Sequence, residues 1–381
     1  MDFERLFDRK KDGSIKWNKY SEDILPMWVA DMDFEVAPAI KESLLQYVQT
    51  GIYGYAAPND DHAEAVKYWL SKQYHWEIEK EWIVWLPSVL SGIGTTARLI
   101  SSMPYGVMTS IPVYRPFIDF AEGDGRYLQA VPLKLQDNKW TMDFEAMESM
   151  VTDETKMYIL CNPHNPTGRM YNEEELKRLV DLCERHDILL CSDEIHADII
   201  LEKGRRHIPV ASLNESAAMR TVSLFSAAKA FNIPALNSAF AIIPNSEIRK
   251  KFERTKLHTV PNLYKQGADA MVAAYRDSED WLNASLDYLR SNYAYLYSEI
   301  QAIPGLKMLP MEATYLAWID YSDLGVDTFA DILENHGVGA MEASIFLGEK
   351  HIRLNFGTQR FRLEQAVTRI KEAVEYLKTR V

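Results

Sequence analysis

The sequence predicts an α/β protein built on a mostly parallel central sheet. Residues 157–161 (MYILC), 188–191 (ILLC) and 221–225 (TVSLF) are short runs of apolar and β-branched residues, the pattern of strands buried on both faces. Between the first two runs, residues 172–186 (NEEELKRLVDLCERH) read as a helix. Asn172 caps it, Glu175 completes a capping box, and Leu176, Leu179, Val180 and Cys183 form one apolar stripe. Strand, loop, helix and strand make a βαβ unit, whose repetition implies parallel strands. The first two runs also turn abruptly polar at their C-terminal ends, where open α/β sheets bind ligands.

At 381 residues the chain is long for one ordinary core, so two domains are expected. Residues 1–45 read as an extended arm with a few turns. Its prolines Pro26 and Pro38 and its aromatics Trp17, Trp28 and Phe34 suit a segment laid over another surface. Helices and strands alternate over 46–275, the expected large domain. Residues 281–302 form a long amphipathic helix leading into a smaller α/β domain over 276–381, which ends in a helix over 363–380 with Ala366, Ile370 and Val374 in step.

A hydrophobic fraction of 47% fits a soluble globular protein. The net charge of −13 argues against nucleic acid or an anionic membrane as partner. Cys161, Cys183 and Cys191 lack metal-type spacing, and their odd number suits a reducing compartment. Core packing is their expected role. No apolar leader opens the sequence, and no run approaches the roughly 20 apolar residues of a membrane span. A cytoplasmic protein without a metal is expected.

Chemistry concentrates on Lys229, in the turn after residues 221–225. Its neighbours Ala227, Ala228 and Ala230 offer no ion pair. A poorly solvated lysine has a depressed pKa and becomes a candidate amine nucleophile for Schiff-base chemistry. Asn165 and Asp193 follow the two preceding apolar runs, so all three residues can meet at one sheet edge.

The spaced set NPHNPTG (162–168), SDEIH (192–196) and SAAKAFNIPAL (226–236) resembles the fold type I pyridoxal-phosphate enzymes. Within the class I/II aminotransferase family it is most similar to the bacterial cystathionine β-lyase or C–S lyase group (MalY/PatB type). Supporting matches are PMWVADMDF (26–34), GIYGY (51–55), ATYLAWID (313–320) and IRLNFG (352–357). The resemblance runs from about residue 7 to the C-terminal helix.

The resemblance implies a large domain around the parallel sheet, a smaller C-terminal α/β domain, and pyridoxal 5′-phosphate as cofactor. Lys229 would carry the cofactor as a Schiff base and, once freed, act as general base. Asp193 would keep the pyridine nitrogen protonated, and Asn165 would donate to O3′ and border the substrate. Tyr114 would stack on the ring. Ser88, Val89 and Leu90, at a helix entrance, and the Ser226 hydroxyl would bind the phosphate. Arg353 would clamp the substrate carboxylate. His196 stands either near O3′ or in a structural role. Tyr55 would reach the phosphate of a neighbouring subunit, implying a homodimer with a shared site. Trp28 to Phe34, Met341 to Leu347 and Tyr315 would shape the side-chain pocket.

The implied activity is α,β-elimination of cysteine S-conjugates to thiol, pyruvate and ammonia. The alternative is transamination of a small or aromatic L-amino acid. The chain also departs from the family pattern. Ala228 replaces the usual Ser or Thr before the lysine, and Asn237 stands where aspartate-type transaminases place an arginine. The loops over 341–351 and 357–361 also differ.

Overall fold

A computed structural model describes residues 1–379. Its centre is a seven-stranded sheet, here numbered in chain order: β1 (Ile83–Leu86), β2 (Tyr105–Ile111), β3 (Arg126–Pro132), β4 (Thr155–Cys161), β5 (Leu189–Asp193), β6 (Thr221–Phe225) and β7 (Ala239–Ile242). The spatial order is β1-β7-β6-β5-β4-β2-β3. All neighbouring pairs are parallel except those of β7, which runs antiparallel to both β1 and β6. Cys161, Asp193 and Leu224 lie side by side across β4, β5 and β6, so the polar turns after these strands emerge level with one another.

The helix Glu173–Arg185 has the expected capping box. Asn172 Oδ1 accepts from Glu175 N, and Glu175 Oε2 accepts from Asn172 N, both at 2.9 Å. Its stripe is buried on the sheet with Tyr158 and Leu190. The helix Val89–Ala97 lies on the opposite face. Gly92 lets it settle there, because a Cβ at that position would stand 2.5 Å from Leu224 Cδ2 and 2.9 Å from Leu86 Cδ1.

The C-terminal part holds a four-stranded antiparallel sheet in the order Lys307–Met308, Leu316–Asp320, His351–Asn355, Met341–Glu342. It follows the helix Glu279–Gln301, and the chain closes with Arg360–Lys378. Both helices begin slightly before their expected starts, within the usual fraying of helix ends. Arg380, the expected last residue of the closing helix, lies outside the described residues.

The N-terminal arm mixes extended chain with helical turns. A short helix occupies Ile15–Asn18, and Pro38, favoured at a first helical position, starts the helix Pro38–Gln49 across the expected 45/46 boundary. Leu25–Pro26 pairs with Val338–Gly339, tying the arm to the C-terminal part. Beyond that pair, every backbone carbonyl from Trp28 to Phe34 accepts a side-chain hydrogen bond. The donors are Arg353, Asn355, Lys229 with Tyr315, Asn355 with Lys16, Asn232, Gln359 and Asn232, in that order along the segment.

A buried ion pair pins the same segment. Lys16 Nζ lies 2.9 Å from Asp33 Oδ2, and Trp17 Nε1 donates to Asp33 Oδ1. Burial pushes the Asp33 carboxyl up, but the Lys16 charge and the hydrogen bonds from Lys16 and Trp17 outweigh it and hold the pKa below its ordinary value. Breaking a buried pair from one side is costly, so Lys16→Met is expected to destabilise by about 3 kcal/mol. Arg9 and Arg362, within 4 Å of Asp33, keep the loss at the low end. The thermal midpoint of the purified protein reads this directly, and an unchanged midpoint refutes it.

Candidate active site

The turns after β1, β2, β4, β5 and β6 enclose a cavity of about 360 Å³, which the arm and the C-terminal sheet close from the other side. Of the residues expected from the sequence, Ser88, Val89, Leu90, Tyr114, Asn165, Asp193, His196, Ser226, Lys229 and Arg353 all line it. Tyr55 does not. It lies fully exposed, in a loop with Ile52 and Tyr53 that are exposed as well.

Lys229 enters on the turn after β6 because Ala227, Ala228 and Ala230 are small enough to bury there. Its Nζ donates to Ala30 O at 2.6 Å, a carbonyl that also accepts from Tyr315 Oη at 3.1 Å. The side chain keeps some accessible surface because it projects into the cavity, but protein surrounds it closely. Burial dominates and brings its pKa down to about 8, with Asp31 and Asp193 opposing the fall and Arg353 adding to it.

Asp193, the last residue of β5, is buried, and its Oδ1 accepts from Ile195 N at 3.0 Å. Burial raises its carboxyl to about 7, although the Ile195 hydrogen bond and Lys229 both pull it down. His196 is likewise buried. Desolvation first, then the Lys229 and Arg353 charges, lower its pKa to about 3, so it is neutral.

Arg353 comes from the middle of the C-terminal strand His351–Asn355. Its Nη1 donates to Asn165 Oδ1 at 3.0 Å and its Nη2 to Trp28 O at 2.6 Å, and the guanidinium lies over the Phe346 ring. Burial lowers its pKa to about 10, so it stays charged at neutral pH. Because Arg353 occupies Asn165 Oδ1, the Asn165 amide is oriented with its nitrogen free to donate elsewhere.

Ser88 caps the helix Val89–Ala97, its Oγ accepting from Ser91 N at 3.1 Å. The first N–H groups of the helix, those of Val89 and Leu90, therefore have no intrahelical acceptor and border the cavity. Three more polar atoms of lining residues are buried without any partner: His196 Nδ1, Ser238 Oγ and Arg353 Nε. Such atoms are costly unless a ligand satisfies them. A helix N-terminus for an anion, a carboxylate, an amine and a guanidinium in one cavity fit a phosphorylated aldehyde cofactor together with an amino acid.

Ser226 borders the cavity, and its hydroxyl donates to Ser238 O at 2.5 Å and accepts from Ala228 N. Two expectations are corrected. Tyr315 does not line the cavity. It is buried behind His196, meeting that ring edge-on at 6.3 Å. Cys183 and Cys191 pack in the core, but Cys161 also borders the cavity, and its Sγ accepts from Asn165 N. Two participants went unrecognised. The Ala30 carbonyl is a backbone atom that no residue type announces, and Arg115 follows Tyr114 with no sequence mark beyond its charge.

The family model for aminotransferase class I and II matches residues 22–370. The chain belongs to that family. Among members, it is 34% identical to cystathionine beta-lyase PatB of Bacillus subtilis, over 98% of this chain and all of that one. It is similar to the crystal structure of OvoB, with a TM-score of 0.96 and 39% identity over 98% of this chain and 99% of the other. It is also similar to cystalysin from Treponema denticola, which contains a pyridoxal 5′-phosphate cofactor. That TM-score is 0.93, at 27% identity over 99% of each chain. The sheet order and the small antiparallel sheet are thus those of fold type I. Among the described residues, no helix is long and apolar enough to cross a membrane, and no cluster suits a metal ion.

Proposed function

We propose that this aminotransferase-family chain is a pyridoxal 5′-phosphate-dependent C–S β-lyase acting on cysteine S-conjugates such as cystathionine. The observation that carries the reading is the meeting of Lys229, Asp193 and Arg353 in one cavity, with a free helix N-terminus beside them. Elimination is favoured over transamination by the full-length similarity to a cystathionine β-lyase. The neutral Asn237 in the cavity wall, eight residues after Lys229, adds to this.

When bound, the pyridoxal ring supplies an aldehyde for amine capture and an electron sink that acidifies the substrate Cα proton. Val89, Leu90 and Ser88 would hold the phosphate at the helix N-terminus. Tyr114 would cover one ring face. Asp193 would keep a proton on the pyridine nitrogen, and the Asn165 amide nitrogen would donate to O3′. Arg353 fixes the substrate α-carboxylate. Lys229 would take the Cα proton and pass it to the sulfur, which would leave with the Cβ–S electron pair, and water would convert the three-carbon remainder to pyruvate and ammonia. Tyr55, exposed in a single chain, reaches the phosphate side of a second subunit's site in a homodimer. A monomer in sedimentation would remove that role.

Incubation of the holoenzyme with L-cystathionine and no keto acid tests the reaction. Sustained release of pyruvate and thiol is expected, whereas one stoichiometric half-turnover means transamination. The Lys229 pKa makes a separate prediction. Below about 8 the amine is mostly protonated and cannot attack an aldehyde. Loading of the apoprotein with pyridoxal 5′-phosphate should therefore quicken by roughly tenfold per pH unit up to about pH 8 and then level off. A loading rate flat between pH 6 and 9 contradicts this.

A further inference from the structure

We propose that Arg115 is a specificity-determining residue that pairs with a carboxylate on the thiol portion of the substrate. The enzyme would then select S-conjugates whose leaving thiol carries a carboxylate. The inference rests on the lyase reading and deepens it.

The charged residues lining the cavity are Arg115, Asp193, Lys229 and Arg353. Three of them sit deep and are engaged. Asp193 holds Ile195 N, Lys229 holds Ala30 O, and Arg353 holds Asn165 and Trp28. Arg115 differs from all of them. It stands at the rim with its side chain 47% exposed, directly after Tyr114, at the start of the helix Arg115–Ala121. Only its Nε is occupied, by Asp119 Oδ1 at 2.7 Å. Among the described residues its two terminal nitrogens have no partner. An exposed i,i+4 pair contributes little, so Asp119 orients the guanidinium without neutralising its reach. The free edge is the part that matches a carboxylate in two parallel hydrogen bonds.

The cavity wall beside Arg353 suits a thioether. Trp28, Met341 and Phe346 line it, and they offer apolar and sulfur surface. A substrate anchored by its α-carboxylate at Arg353 would lay its Cβ–S–CH₂ stem along this wall. Its far end would then emerge at Arg115. A neutral alkyl conjugate fills the same wall but leaves the guanidinium unused, whereas a carboxylate engages it.

The test compares S-carboxyethyl-L-cysteine with S-propyl-L-cysteine, which share a stem and differ in charge, on holoenzyme of the wild type, Arg115→Gln and Arg115→Lys. Pyruvate release gives kcat and KM for each. In wild type the carboxylate conjugate is preferred. In Arg115→Gln its preference over the propyl conjugate falls about 10- to 100-fold, mainly through KM. Arg115→Lys restores part of the preference, since it returns the charge without the fork. A preference absent in wild type, or unchanged in Arg115→Gln, overturns the proposal while leaving the lyase reading intact. Wild type releasing pyruvate from neither conjugate nor from cystathionine defeats both.

Discussion

Lys229→Ala is expected to abolish turnover and leave the protein colourless. General-base catalysis alone contributes about 10²–10⁴-fold, and the same amine also holds the cofactor covalently, so kcat should fall by at least about 10⁴-fold. The remaining lining offers no substitute. Arg115 and Arg353 stay charged, His196 is orphaned and weakly basic, and no other lysine borders the cavity. The fold should survive the change. Alanine suits a turn already built from Ala227, Ala228 and Ala230, and Tyr315 still donates to the Ala30 carbonyl that Lys229 releases. That carbonyl is therefore not left as a buried orphan. The measurement is an absorption spectrum with borohydride reduction, beside pyruvate release at an unchanged thermal midpoint. A yellow variant that borohydride bleaches would sink the assignment.

Asp193→Asn should retain the structure and lose about 10²–10³-fold in kcat, the range seen when one preorganised electrostatic partner is removed. The substitution is close to isosteric, and Asn keeps an oxygen for Ile195 N. What it cannot do is carry charge. In the cavity Asp193 titrates near 7 because burial outweighs its hydrogen bond and the nearby amine. A protonated pyridine nitrogen held beside it would stabilise the carboxylate and pull that pKa down. By the same linkage the carboxylate keeps the ring protonated, and asparagine forfeits this. Steady-state kinetics on protein of equal thermal midpoint read the effect, and a kcat equal to wild type would remove Asp193 from the mechanism.

Local signals in the sequence were strong where chemistry and secondary structure coincide. The apolar runs that became β4, β5 and β6, and the Asn172–Glu175 box, follow from neighbours a few residues apart. Lys229, Asn165, Asp193 and Arg353 stand in motifs, so their convergence was readable too. Partnerships over long separations were not. Arg353 orienting Asn165 joins residues 188 apart, and Ser226 surrendering its proton to Ser238 O depends on how β7 returns beside β6. Tyr315 carries an aromatic ring suited to a pocket wall, yet packing sets it one layer back. The helix Pro38–Gln49 was not legible because Pro38 reads equally well as a breaker or as the opening of a helix.

The row of carbonyls from Trp28 to Phe34 bears on how the polypeptide matures. This stretch leaves the ribosome early, but Arg353, Asn355 and Gln359, which claim several of its oxygens, are translated more than 320 residues later. Until they emerge, those oxygens can be satisfied only by water. Residues 28–34 must therefore wait, solvated and unseated, until the chain through Gln359 has been made. Closing so long a loop carries an entropic penalty that grows only slowly with length, so the late docking is affordable. A nascent chain halted before its last strand has the parallel sheet and the reactive amine but no roof over them.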